Sequence, residues 1–126
     1  MRIGAGLFNH GLFFEFHELL EESWSRAQEP EKQFLQALIQ IAVGFYRLQA
    51  RKVRGCLQLL REGEEKAGPL APACLGLEVR EFLGGIAACR SAIARLGERA
   101  PDEFDWASIP FMRSVHTSPG IASRDR

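Results

Sequence analysis

Apolar and polar residues alternate along most of the chain with the period of an α-helix. In four segments the apolar residues recur three or four positions apart, which places them on one face of a helix. No segment shows the strict two-residue alternation of a half-buried strand. We therefore predict an all-α protein, a four-helix bundle whose helices span about residues 10–27, 31–50, 53–67 and 78–96.

The second of these predicted helices is the most hydrophobic, and its apolar residues cover most of its circumference. A helix of this kind packs on several sides, so we expect it at the centre of the bundle. Its polar exceptions, Gln36, Gln40 and Arg47, share one stripe. An unpaired buried amide costs about 1–3 kcal/mol, so this stripe needs polar partners on a neighbouring helix.

The helical period ends at Gly97. Residues 101–112 carry aromatic and branched side chains without a period, and we predict that they form an irregular aromatic strap over the bundle. Residues 113–126 have little to bury, so we predict a disordered tail there. The prediction is thus one helical domain over residues 1–112, followed by a tail.

Composition adds mainly exclusions. Sixteen basic residues balance sixteen acidic ones, so no overall field attracts nucleic acid, and we expect none as a partner. The longest apolar run is far too short to cross a membrane, and the first residues lack the apolar segment of a signal peptide. Three cysteines without CxxC spacing favour reduced thiols and a cytoplasmic location. A second copy of the chain, or another protein, is the partner that we expect.

The first predicted helix carries the candidate chemistry, because residues 8–24 hold five aromatic residues and four glutamates. We predict Asn9 as its N-cap, since the side chain can accept from free backbone N–H groups. His17 and Glu21 are one turn apart at the border of the apolar face, where they would meet the polar stripe of the second helix. The residues predicted for this polar seam, as candidates for binding a ligand, are Glu15, His17, Glu18, Glu21, Trp24, Gln36 and Gln40.

His17, Glu18 and Glu21 form an HExxE sequence, one residue away from the HExxH signature of zinc proteases. His17 and Glu21 could occupy two positions on a metal, with a further ligand from another helix or from His10. Three interpretations stay open: a purely structural seam, a groove for a small polar ligand, and a metal site. No nucleophile stands near His17 in the motif. We therefore predict a non-enzymatic interaction or ligand-binding module without a cofactor, and a metal-assisted hydrolase using His17 and Glu21 as the alternative.

The run FNHGLFFEFHELLEESW, continued in FLQALIQIAVGFY and RGCLQLLREG, resembles a bacterial family of all-helical proteins known as domain of unknown function 309. Weaker similarity in ACLGLEVREFL extends the resemblance over about residues 7–97. The resemblance implies a compact helical bundle and no established activity. The chain departs from the family at Arg51 and Lys52, where a Gly-Asn turn is usual.

Overall fold

The computed structural model describes residues 2–115, and within them the fold is all-α, as predicted. The six α-helices are α1 Arg2–Asn9, α2 Phe13–Arg26, α3 Glu31–Gln49, α4 Val53–Ala67, α5 Arg80–Leu96 and α6 Ala100–Glu103. Two short strands, β1 Ala73–Cys74 and β2 Leu77–Glu78, form an antiparallel hairpin between α4 and α5. The 3₁₀ turns are Gly68–Leu70, Gly97–Arg99 and Trp106–Ser108.

The four long helices α2 to α5 form the bundle, and α3 is its central element. It packs against α2 and α4, and α4 in turn packs against α5. Ten residues of α3 are buried, compared with three on α2 and four each on α4 and α5. The prediction of a hydrophobic central helix is therefore confirmed. No helix within residues 2–115 is long and apolar enough to cross a membrane.

Helices α3 and α4 approach each other closely at Gly63 of α4. A Cβ atom on Gly63 would lie 2.6 Å from Ile41 Cγ1 and 2.9 Å from the carbonyl oxygen of Ala37. Side chains do not tolerate such distances, so only a residue without a Cβ fits here. The missing side chain lets the backbone of α4 lie directly against α3.

The start of the first predicted helix differs from the structure. We predicted one helix over residues 10–27, whereas α2 begins three residues later and is preceded by the separate helix α1. Helix α1 ends in a Schellman turn, in which the Gly11 N–H donates to the Phe8 carbonyl and the Leu12 N–H donates to the Leu7 carbonyl, both at 2.9 Å. Gly11 has a φ of 78°, a conformation that glycine adopts at low cost.

The prediction that Asn9 caps a helix is wrong. Asn9 is the last residue of α1, and Leu12 stands at the N-cap of α2 without a side-chain hydrogen bond. The Asn9 amide instead holds the C-terminal segment: its Nδ2 donates to the Met112 carbonyl at 3.2 Å, and the Met112 N–H donates to its Oδ1 at 2.7 Å. Sequence pattern does not reveal this use, because the partner lies 103 residues away.

The aromatic segment after α5 lies over the bundle, as predicted, although α6 and a 3₁₀ turn make it more regular than expected. The side chain of Phe104 is buried and its ring stacks on Phe45 of α3. Pro110 lies so close to α5 that a Cβ atom on Gly85 would be 2.7 Å from its ring. From here on, the name strap refers to residues 104–112, the part of the predicted segment that follows α6.

The β-hairpin was not predicted, because strands of two residues are too short to show an alternating pattern. Residues 113–115 extend it: the Glu78 N–H donates to the Arg113 carbonyl at 2.8 Å, and the Val115 N–H donates to the Gly76 carbonyl at 2.9 Å. The rest of the predicted tail, residues 116–126, lies outside the described residues. The division of the chain into one domain and a tail stays a prediction.

Candidate functional site

Helix α2 places the two central candidates side by side. His17 and Glu21 are four residues apart, and the His17 Nε2 lies 3.2 Å from Glu21 Oε2. The imidazole is mostly buried, with 22% of its side chain exposed, whereas 60% of the Glu21 side chain is exposed. The contact between His17 and Glu21 that the helical spacing predicts is therefore present. It is made by Nε2, on the side of the ring that faces the exposed Glu21.

The other ring nitrogen of His17 has no partner. Its Nδ1 is buried and makes no hydrogen bond within the described residues. Facing a carboxylate, Nε2 acts as a donor; Nδ1 is then an acceptor if the ring is neutral and a second donor if the ring is protonated, and in both forms it lacks a partner. A buried polar atom without a partner costs about 1–3 kcal/mol. His17 is therefore not a fully satisfied structural histidine.

An apolar cleft between α2 and α3 adjoins this ring. Its volume is about 180 Å³. The aromatic rings of Phe14 and Tyr46 are 43% and 44% exposed, and their centroids are 5.4 Å apart. The Phe14 ring also lies 5.6 Å from the His17 ring. The residues that line this α2–α3 cleft are Phe13, Phe14, His17, Val43, Tyr46 and Arg47.

Gln40 lies elsewhere than predicted. We expected it to face His17, but its Nε2 donates to Glu62 Oε1 of α4, at a long distance of 3.4 Å. Its Oε1 is buried without a partner, like the Nδ1 of His17. Helical periodicity places Gln40 at the border between two faces of α3, and it does not say which neighbouring helix the amide meets.

Trp24 and Gln36 line a second cleft, at the other end of α2. Its volume is about 380 Å³, and we call it the Trp24 cleft. The Lys32 ammonium lies over the Trp24 ring, 4.4 Å from its centroid. The Trp24 cleft is lined by Trp24, Glu29, Lys32, Gln33, Gln36 and Lys66.

The remaining candidates, Glu15 and Glu18, are exposed on α2. The predicted seam is therefore not one continuous network. His17 and Glu21 contact each other, and Gln40 contacts Glu62 of α4 instead. Trp24 and Gln36 line the Trp24 cleft, and Glu15 and Glu18 are at the surface. Whether any of these residues binds a ligand stays a prediction.

Sequence reasoning did not identify the aromatic walls of the α2–α3 cleft. Phe14 and Tyr46 do not belong to the buried faces of their helices, and both are exposed. The available signal was their position: each is a large aromatic residue off the apolar arc of its helix. Exposed apolar residues that are scattered singly are normal, whereas exposed aromatic residues that lie together form a patch of the kind found at interaction sites.

A metal site has little support from the donor groups. Within residues 2–115 no group of three or more His, Cys, Asp or Glu side chains is arranged to hold a metal ion. Catalytic zinc sites use three protein ligands, and His17 with Glu21 supplies two. His10, which we considered as an outside ligand, has its Nδ1 2.8 Å from the Gly6 carbonyl oxygen instead.

The cysteines are not activated nucleophiles. Burial, together with a smaller contribution from the nearby Cys89, raises the pKa of Cys56 to about 12. Burial also raises the pKa of Cys89 and that of Cys74. The thiolate is the reactive form, so these three thiols are poorly suited to nucleophilic catalysis.

Comparison with known proteins identifies the N-terminal half. A family model described as "Domain of unknown function (DUF309)" matches residues 1–59, which include α1, α2, α3 and every residue of the α2–α3 cleft. No curated protein and no solved structure gave a significant match. The weaker similarity that we noted as far as residue 97 lies beyond the matched segment. The predicted resemblance to the domain of unknown function 309 family is therefore confirmed, over residues 1–59.

Proposed function

We propose that this protein is a non-enzymatic binding module whose α2–α3 cleft takes a small molecule with one flat apolar ring. The observation that carries the proposal is the unpartnered, buried Nδ1 of His17 next to the exposed rings of Phe14 and Tyr46. A buried polar atom without a partner costs stability, and groups that serve a function are often held at such a cost. The predictions of a homodimer and of a cytoplasmic location stay predictions.

The size of the cleft supports a single ring. An apolar cavity of about 150 Å³ can hold benzene, and this cleft has a volume of about 180 Å³. Phe14 and Tyr46, whose rings already contact each other, would flank the ligand ring on one side, and Val43 lies half-buried beside them. Covering their exposed carbon surface would contribute about 25 cal/mol for each Å² removed from water.

Arg47 adds a preference for charge. It is the one residue in the cleft lining with a full positive charge, and it is exposed on the last turn of α3. A ring that carries a carboxylate would bring a negative charge near its guanidinium, and guanidinium groups bind carboxylates well. We therefore expect an aromatic acid to bind better than the corresponding alcohol.

The residues around the cleft support binding rather than catalysis. The lining includes no serine, threonine or cysteine, and its one hydroxyl belongs to Tyr46. Nucleophilic catalysis needs a nucleophile within reach of its base, and the pair of His17 and Glu21 has none beside it in this lining. No observation on the described residues favours the metal-assisted hydrolase.

The experiment is an NMR titration of the ¹⁵N-labelled protein with benzoate and, separately, with benzyl alcohol. We expect saturable shifts at residues of the cleft, with tighter binding of benzoate. Phe14→Ala removes one wall and should weaken binding by about fivefold or more, which is about 1 kcal/mol. The matched control is Leu19→Ala, which removes another exposed apolar side chain of α2 that does not line the cleft.

Two results would refute the proposal. In the first, neither probe shifts the resonances of the cleft in a saturable way. In the second, Leu19→Ala weakens binding as much as Phe14→Ala, which would indicate non-specific contact with apolar surface.

A further inference from the structure

The Trp24 cleft is a separate site, because it shares no lining residue with the α2–α3 cleft. Its walls come from three helices and one loop. Trp24 lies near the end of α2, Lys32 and Gln36 lie in the first turns of α3, and Lys66 lies near the end of α4. All four side chains are half-buried.

Two other polar groups of the cleft already have partners within the protein. The Glu29 carboxylate accepts the backbone N–H of Gln33 at 3.1 Å, so it is engaged with the start of α3. The Gln33 amide donates to the carbonyl oxygen of Lys66 at 2.9 Å, which joins α3 to α4. Glu29, the one acidic residue in the lining, therefore has one carboxylate oxygen bound to the first turn of α3.

The polar groups that remain are mostly hydrogen-bond donors. Within the described residues, the ammonium groups of Lys32 and Lys66 have no ion pair, and the Trp24 indole N–H has no hydrogen-bond acceptor. Lysine and the tryptophan indole can only donate. The Gln36 amide, which can donate or accept, is likewise without a partner there. The cleft therefore presents several donors and two positive charges, with the single carboxylate of Glu29 as the one negative charge in its lining.

We propose that the Trp24 cleft binds a small oxyanion, a phosphate or a carboxylate, between the ammonium groups of Lys32 and Lys66. An anion supplies further acceptors for these donors, and it balances the one positive charge that is left when Glu29 is counted against Lys32 and Lys66. Hydrogen bonds between an ammonium and an oxyanion are about twice as strong as those between neutral groups. This site is additional to the proposed function and does not depend on it.

The test follows the indole N–H resonance of Trp24 by NMR as phosphate or acetate is added, with chloride at matched ionic strength to separate binding from screening. We expect a saturable shift with phosphate or acetate and none with chloride. Lys66→Met should weaken binding about tenfold, whereas Lys66→Arg, which keeps the charge, should preserve most of it. Lys52→Met is the control, because Lys52 is an exposed lysine outside the cleft.

A shift with phosphate alone supports the proposal and identifies a phosphate group as the ligand. A shift with both anions supports it for oxyanions in general. The proposal is overturned if neither anion shifts the indole resonance, or if Lys52→Met weakens binding as much as Lys66→Met. Neither result bears on the α2–α3 cleft, which is tested with a ring compound and with Phe14→Ala.

Discussion

At the scale of single residues, His17 combines a weak gain with a definite cost. Its pair with Glu21 joins a mostly buried ring to a mostly exposed carboxylate one turn away, and pairs at this spacing within a helix are worth about 0.2–0.5 kcal/mol. Its buried Nδ1 lacks a partner, at a cost of about 1–3 kcal/mol. The balance is unfavourable for folding, which is the reason we assign the residue to binding.

The first prediction follows from this balance. His17→Leu removes the unpartnered nitrogen, keeps a side chain of similar length in the cleft wall and favours helix formation. We expect it to raise the free energy of unfolding by about 1 kcal/mol. Urea denaturation measures the change, and Glu21→Gln should have little effect. A loss of stability on His17→Leu would mean that the ring is a structural residue after all.

Arg51 is a second residue that costs stability, because its backbone has a left-handed conformation. It ends α3 in a Schellman turn, in which its N–H donates to the Leu48 carbonyl at 2.9 Å and the Lys52 N–H donates to the Arg47 carbonyl at 2.9 Å. Its φ is 66°, in the left-handed region that glycine adopts at much lower cost than arginine. Its guanidinium makes two hydrogen bonds of 2.8 Å to Asp102, which lower the pKa of that carboxyl group.

The second prediction separates the backbone from the side chain at this position. Arg51→Gly and Arg51→Ala both lose the contact with Asp102, but only glycine adopts the left-handed conformation without strain. The glycine variant should therefore be more stable than the alanine variant by about 1 kcal/mol. Thermal and urea unfolding of the two variants measure this difference. Equal stabilities would contradict a strained turn.

At the scale of elements, the sequence predicts the long helices, because their apolar residues recur with the helical period. Helices α3, α4 and α5 were found within about two residues of their ends, because each has a long apolar face. Helix α1 was missed because it is short and contains two glycines, which favour helix formation poorly. The β-hairpin was missed because its two-residue strands are too short to show a pattern, and because the residues that extend it, 113–115, are remote in sequence.

For the candidate site, the sequence predicted contacts within one helix but not contacts between helices. The pair of His17 and Glu21 depends only on spacing along one helix, and it is present. The partners of Gln40 and Gln36 depend on which helices flank α3 at each turn, and periodicity does not contain that information. The division of the predicted seam into separate places therefore required the tertiary structure.

The third prediction concerns the contact between α3 and α4. Gly63→Ala places a Cβ atom 2.6 Å from Ile41 and should cost about 1–3 kcal/mol, because the two helices must move apart. Gly55 of the same helix is the matched control. Its Cβ would meet only the flexible side chain of Arg47, at 3.3 Å, so Gly55→Ala should be neutral or stabilising. Urea unfolding of both variants measures the contrast, and similar changes would refute the close approach.

At the scale of the whole molecule, the strap joins the two ends of the described chain. It binds α1 through Asn9 and Met112, and it lies on α5 through Pro110 and Gly85. The strap therefore covers the apolar core between α1 and α5. Phe8, which is fully buried, contacts Phe82 of α5 beneath the strap.

The fourth prediction tests the strap with two adjacent glycines of α5. A Cβ atom on Gly85 would lie 2.7 Å from Pro110, whereas one on Gly84 would meet no other residue. Gly85→Ala should displace the strap and speed hydrogen exchange of the Met112 amide. Gly84→Ala should leave that exchange unchanged and stabilise the helix by up to about 1 kcal/mol. Unchanged exchange in both variants would show that the strap does not depend on this contact.

The bonds between Asn9 and Met112 also bear on the order in which the chain folds. Neighbouring helices of the bundle are joined by short connections, so their contacts are local and form quickly. The Asn9 contact closes a loop of 103 residues, and loop-closure entropy makes it one of the last contacts to form. By the same reasoning it is one of the first to open in the native state. Opening of this contact would release the strap from α1 while α3 and α4 stay packed against each other.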